Sequence, residues 1–126
     1  MKEWVTIRDI DGIKYVTFTN TPITDELFFK YKNDYVYMFI DKNPKKVIFD
    51  STEMEFIPLK YVFYQILFMI EMEDIHREFL KCYSVIITSN IIRKLLEFSY
   101  KIKPPVCKNN SISSNVEEAL EYVNSI

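Results

Sequence analysis

Few side chains in this sequence are suited to nucleophilic or metal chemistry. They are one histidine, His76, and two cysteines, Cys82 and Cys107. The common zinc sites that need two or three histidines are excluded. A cysteine with His76 as its base is one open interpretation, and packed thiols with a solvated histidine are the other. We therefore expect no catalytic residue, no metal and no enzyme activity.

An acidic cluster follows the most hydrophobic part of the chain. Its members are Glu71, Glu73, Asp74 and Glu78. Carboxylates in this number could bind a divalent cation. A run of charge on a predicted helix is more often a solvated face, which is the interpretation we favour here.

Polar residues follow two predicted buried strands, where small ligands often bind in α/β sheets. Helix N-termini converge at the same edge and favour anions there. The loop Asp50–Glu55 and a later helix cap are therefore an alternative site for a nucleotide or a lipid. No glycine-rich phosphate motif is present in a chain with one glycine, so we expect no cofactor. The candidate ligand-binding residues are Asp50, Ser51, Thr52, Ser89 and Asn90.

Composition limits the class of protein. The 126 residues are 48% hydrophobic and 16% aromatic, which suits a single domain, residues 1–126, with a substantial core. A net charge of −2 with mixed signs argues against a nucleic-acid partner.

The longest apolar run, Tyr61–Ile70, is far shorter than the roughly 20 residues of a membrane span. We expect a soluble, cytoplasmic protein with reduced cysteines. The excess of Ile, Lys, Asn, Phe and Tyr is typical of a low-GC genome.

The elements that must position these residues follow an α/β order. Asp11-Gly12 predicts the turn of an N-terminal β-hairpin formed by Trp4–Ile10 and Ile13–Thr19. A helix capped by Thr24 and ending near Asp41 follows. The remaining predicted elements are a central strand at Val47–Phe49, a helix from Pro58 to about Arg77, a strand at Tyr83–Thr88, a helix after Ser89-Asn90, a short edge strand at Val106–Lys108 and a last helix behind the capping box of Ser114 and Glu117.

Between Val47 and Val123 the chain resembles a STAS domain, the fold of bacterial anti-sigma factor antagonists and of the cytosolic tails of sulfate transporters. The segments that carry the resemblance are VIFDSTEMEFIPLKYV, VIITSNIIRKLLEFS and SSNVEEALEYV. The resemblance implies a mixed sheet with about four helices packed mainly on one face. It also implies a non-catalytic regulatory module that binds a protein partner or its own copy.

One departure from this family concerns its phosphorylation switch. A D-S-S-G-like element opens the family's second helix, and its Ser or Thr is phosphorylated. Here the corresponding residues are Pro58-Leu59-Lys60-Tyr61, with Lys60 at the acceptor position. We expect the family's phospho-acceptor to be absent, with Ser51, Thr52 and Tyr61 as neighbouring hydroxyls that a kinase could use instead.

The second helix also offers a candidate partner surface. Spacing assigns Leu59, Val62, Ile66, Met69 and Ile70 to the stripe that packs on the sheet. A second stripe is left to point outward, where the resembling family docks its partners, and acidic substitutions in it are expected to leave the fold intact. The alternative is that the first helix or the hairpin covers this stripe. The candidate partner-binding residues are Lys60, Tyr61, Tyr64 and Phe68.

Overall fold

A computed structural model describes residues 2–126 of the chain. Five strands form one sheet in the order β1-β2-β3-β4-β5. The first two strands pair antiparallel, and every later neighbour pairs parallel, so the sheet is mixed. The elements are β1 (Val5–Ile10), β2 (Ile13–Phe18), α1 (Asp25–Tyr37), β3 (Lys45–Asp50), α2 (Leu59–Glu71), α3 (Glu73–Phe79), β4 (Leu80–Ile86), α4 (Asn90–Ile102), β5 (Asn110–Ser113) and α5 (Val116–Asn124).

The helices divide unequally between the two faces of the sheet. Alternation along β3 sends Val47 and Phe49 to the face covered by α1, α2, α3 and α4, and Ile48 to the face covered by α5. The larger core holds most of the aromatic side chains, whereas the smaller one packs Ala119 and Val123 against the sheet. The predicted α/β class, with helices mainly on one face, is confirmed. The part of the chain described here has five helices, not about four.

The N-terminal hairpin forms at the predicted turn. Asp11 has a φ of 52° and Gly12 a φ of 82°, the positive values that both central residues of a type I′ turn need. The Gly12 N–H also donates to the Asp9 carboxylate at 3.0 Å. The only glycine of the chain is therefore a turn residue.

The first helix begins where expected but ends early. The Thr24 hydroxyl accepts the Leu27 N–H at 3.2 Å, which is the predicted N-cap. The helix stops at Tyr37 instead of Asp41, because the chain continues as tight turns and Lys42 takes a φ of 57°.

The helix predicted from Pro58 to Arg77 is interrupted. Met72 has φ −85° and ψ 0°, and α2 ends before it while α3 begins after it. The change of direction places Met72 itself and His76 in the core beside Tyr35.

The predicted edge strand at Val106–Lys108 is also displaced. The fifth strand is Asn110–Ser113, four residues later. The buried Ser84 hydroxyl on β4 bonds the hydroxyls of Ser111 at 2.8 Å and Ser113 at 2.6 Å, which compensates for the weak strand propensity of this segment. The last helix is likewise capped one residue later than predicted, by Asn115, which accepts the Glu118 N–H at 2.9 Å.

Candidate functional site

Lys60, which the sequence resemblance placed at the family's phospho-acceptor position, lies in the first turn of α2. Lys60 pairs with the Asp25 carboxylate at 3.0 Å, and its ammonium lies over the Tyr61 and Tyr64 rings. Hydrogen bonding to Asp25 raises the pKa of Lys60. The position therefore carries a positive charge and no hydroxyl.

The prediction that Tyr61, Tyr64 and Phe68 point outward is wrong. Tyr61 is 8% exposed and Phe68 1% exposed, and Tyr64 is partly buried. Helix α1 covers them, since Phe28 lies edge-on to Tyr64 and Tyr31 lies edge-on to Phe68. Because α2 packs against both α1 and the sheet, its buried surface is wider than one stripe.

The outer surface of α2 is apolar but consists of different residues. Leu59 and Ile70, which were assigned to the sheet-facing stripe, are exposed. On the neighbouring helix α4, Phe98 lies edge-on to Phe63 with ring centroids 5.9 Å apart. We call this surface the α2/α4 ridge. It comprises Leu59, Phe63, Leu67 and Ile70 of α2 and Phe98 and Ile102 of α4, all at least partly open to solvent.

The predicted ligand residues do not converge on one cavity. Asp50 is buried on the α5 side, where it accepts hydrogen bonds from the Tyr15 hydroxyl at 2.5 Å and from the Thr52 hydroxyl at 2.7 Å. Ser51 lies on the α2/α4 side and donates to the Ile86 carbonyl at 2.6 Å. Each polar group thus already has a partner within the protein.

The other half of that predicted site is a helix cap. The Ser89 hydroxyl accepts the Ile92 N–H at 3.3 Å, and Asn90 is exposed at the start of α4. The geometry of Ser89 and Asn90 is explained by the helix they start.

A cavity of about 190 Å³ lies between the sheet and helices α2 and α4. The sequence did not indicate it, because its lining comes from distant parts of the chain. Its walls are mainly apolar, and polar groups collect toward the start of β4. Its lining includes Met54, Ile57, Ile66, Leu96, Tyr83, Tyr100, Lys103 and His76.

His76 is buried, so the prediction of a solvated histidine is wrong. Its Nε2 atom is 2.7 Å from the Tyr35 hydroxyl. Desolvation, with a smaller contribution from the Lys103 charge, lowers the pKa of His76 to about 4. The imidazole is therefore neutral at physiological pH.

The two cysteines are free and buried, as expected. Cys82 belongs to the core on the α5 face, so the sheet separates it from His76. Cys107 lines the cavity, but burial raises its pKa and its thiol lies 3.5 Å from the Asn109 carbonyl. A protonated thiol is a poor nucleophile, so the geometry offers no activated Cys–His pair.

Three of the four residues of the acidic cluster pair with basic side chains. Arg77 pairs with Glu73 at 2.9 Å and with Asp74 at 3.1 Å. Glu71 pairs with Lys32 at 3.3 Å. Among residues 2–126, no group of three or more His, Cys, Asp or Glu side chains is placed to hold a metal ion. Within the same range, no helix is long and apolar enough to cross a bilayer.

Comparison with known proteins identifies the fold. The chain matches no protein-family model and no curated protein. It is similar to the structure of an anti-sigma-factor antagonist (STAS) domain protein from Planctomyces limnophilus, with a TM-score of 0.63 and 10% identity over 94% of this chain and 97% of the other. It is also similar to an uncharacterised protein with a SpoIIAA-like fold from Shewanella loihica, with a TM-score of 0.62 and 14% identity over 94% and 91% of the two chains. The STAS-like fold expected from the sequence is confirmed.

Proposed function

We propose that this protein is a non-catalytic regulatory module that binds a protein partner, or a second copy of itself, through the α2/α4 ridge. The observation that carries the proposal is the ridge itself, a row of large apolar side chains that α1 and the sheet leave uncovered. Covering one such side chain is worth about 2 kcal/mol before association costs. Isolated exposed apolar residues are common, but a contiguous row of this kind is typical of interaction surfaces.

The proposal includes no phosphorylation switch at the start of α2. Lys60 cannot accept a phosphate there, and its ammonium is paired with Asp25. Binding would then be controlled by the state of the partner, by the concentration of this protein or by a bound ligand.

The test uses a ridge variant and a matched control. Leu67 on the ridge and Tyr37 on α1 are both exposed, so Leu67→Glu and Tyr37→Glu are each expected to fold. If the protein self-associates, Leu67→Glu reduces the mass measured by light scattering to that of the 15.2 kDa chain, and Tyr37→Glu does not. If the chain is monomeric, a photo-cross-linking residue at position 67, but not at 37, captures one defined protein in cells. The proposal fails if neither experiment separates the two positions.

A second function, binding of a small apolar ligand, is favoured by the cavity. The walls between the sheet and α2/α4 are mostly apolar. An enclosed apolar space of about 150 Å³ is enough to bind a small apolar molecule. Nucleotide binding has less support, because Asp50 and Ser51 are already hydrogen-bonded within the protein. A lipid is therefore the better candidate, and its site is the cavity instead of the loop Asp50–Glu55.

A further inference from the structure

We call this cavity the channel. Its lining on the sheet side includes Leu80, the first residue of β4, and Ile87, just after the last. On the other side it is lined by residues of α2 and α4, such as Ile66 and Leu96. An aliphatic chain placed between the sheet and the two helices would therefore contact mainly apolar side chains.

The side chains that line the channel are apolar at one end and more polar at the other. Near Met54 and Ile57 and along α2 and α4 they are mainly apolar, with Ser51, Gln65 and Ser99 as the polar side chains. Toward the start of β4 the channel is lined by Tyr83, Tyr100 and Lys103. A ligand that fits both parts has an apolar tail and a polar head.

The polar end has hydrogen-bond donors that the bonds within the protein leave unused. The Tyr83 and Tyr100 hydroxyls are 2.6 Å apart, and this one bond uses one of the two hydrogens that the pair carries. Neutral His76 and Tyr35 likewise share one bond with two hydrogens between them. Each pair therefore keeps one hydrogen to donate.

This end of the channel also carries a cation, the Lys103 ammonium. The Lys103 ammonium is 3.6 Å from the Glu73 carboxylate, which is beyond ordinary hydrogen-bond length. Glu73 is bound more closely by Arg77, at 2.9 Å. Lys103 thus keeps donors for another acceptor. A head group that only accepts hydrogen bonds and carries a negative charge matches these donors, and a carboxylate meets both conditions.

We propose that the channel binds a long-chain carboxylic acid, with its carboxylate at Tyr100 and Lys103 and its aliphatic chain running between the sheet and α2/α4 toward Met54 and Ile57. This inference rests on the second proposed function, that the cavity holds a small apolar ligand. It adds the class of ligand and the direction in which the ligand lies.

Calorimetric titration of the full chain with dodecanoate, methyl dodecanoate and ATP tests the proposal. We expect dodecanoate to bind one molecule per chain, the methyl ester to bind at least about tenfold more weakly, and ATP not to bind. Equal affinity for the acid and the ester would overturn the carboxylate assignment while leaving an apolar-ligand site in place. No binding of either would overturn both this inference and the second proposed function.

Two kinds of variant locate the site. Tyr100→Phe and Lys103→Met remove head-group donors and are each expected to weaken dodecanoate about tenfold without changing the affinity for the ester. Leu96→Trp fills the channel and is expected to abolish binding of both. Ser99→Leu provides a second filling variant should Leu96→Trp fail to fold, and Tyr37→Glu, on the exposed surface of α1 and away from the channel, is the control that leaves binding unchanged. Full binding by a folded channel-filling variant would place the ligand elsewhere and overturn the proposal.

Discussion

The Tyr61 hydroxyl donates a hydrogen bond of 2.8 Å to the Asp25 carboxylate, so the first turn of α2 is tied to the first turn of α1. Lys60 reaches the same carboxylate at 3.0 Å. Bonding to both partners lowers the pKa of Asp25. Two residues that the sequence suggested for partner binding therefore join one helix to another within the chain.

Neighbouring positions on α2 should respond very differently to charge. Phe68 is 1% exposed and Leu67 is 57% exposed. Phe68→Asp places an unpaired carboxylate among aromatic rings, and we expect it to lower the free energy of unfolding by at least about 4 kcal/mol or to prevent folding. Leu67→Asp should cost about 1 kcal/mol or less. Urea denaturation followed by circular dichroism measures both, and equal losses would contradict the burial of Phe68.

The predicted absence of the family's phospho-acceptor can be checked on the protein isolated from the cells that express it. We expect peptide mapping by mass spectrometry to find no phosphate on residues 58–61, because Lys60 has no hydroxyl and Tyr61 is buried with its hydroxyl bonded to Asp25. Ser51 is buried and donates to a backbone carbonyl, whereas Thr52 is exposed. Phosphate on Ser51, Thr52 or Tyr61 would show that a switch persists at a neighbouring hydroxyl.

The sequence predicted the fold well where local signals and tertiary packing agree. The turn at Asp11-Gly12, the cap at Thr24 and the buried strand at Val47–Phe49 each depend on a few adjacent residues. The order of these elements was sufficient for the resemblance to a STAS domain. The displaced β5 shows the limit, because its pairing depends on Ser84, which is distant in sequence from Ser113.

The outward surface of α2 was predicted incorrectly for a physical reason. Spacing reports which residues share a face, but not how many neighbours the helix has. With α1 as a second neighbour, Tyr61 and Phe68 become core residues, while Leu59 and Ile70 become exposed. The spacing of Leu59, Phe63, Leu67 and Ile70 was present in the sequence and would have indicated the ridge had a second neighbour been assumed. No comparable local pattern indicated the channel.

The hairpin turn offers a direct test of backbone conformation. Gly12 has a φ of 82°, and a Cβ added there would contact nothing within 4 Å, so any cost of substitution comes from the backbone alone. We expect Gly12→Ala to lower the free energy of unfolding by about 1 kcal/mol. Gly12→Asn should cost less, because asparagine tolerates positive φ. Thermal and urea denaturation distinguish the two, and an unchanged stability of Gly12→Ala would argue against the positive φ.

Burial of His76 should make the protein sensitive to mild acid. The folded-state pKa of about 4 is below the ordinary value of 6.5, so the unfolded chain binds a proton more readily than the folded one. The stabilising contribution is therefore complete above pH 6.5 and is lost as the pH falls from 6.5 toward 4. Between pH 7 and pH 5 the expected loss is about 2 kcal/mol.

The variant His76→Gln separates this contribution from that of the carboxylates. Glutamine can still bond the Tyr35 hydroxyl but does not titrate, while Asp9, Asp25 and Asp41, whose pKa values are lowered, remain in both proteins. Because those carboxylates titrate well below pH 5, their effect is small in this window. Urea denaturation at pH 7 and pH 5 should show a smaller decrease in stability for His76→Gln than for the wild type. Parallel decreases in the two proteins would mean that His76 is not buried in its neutral form.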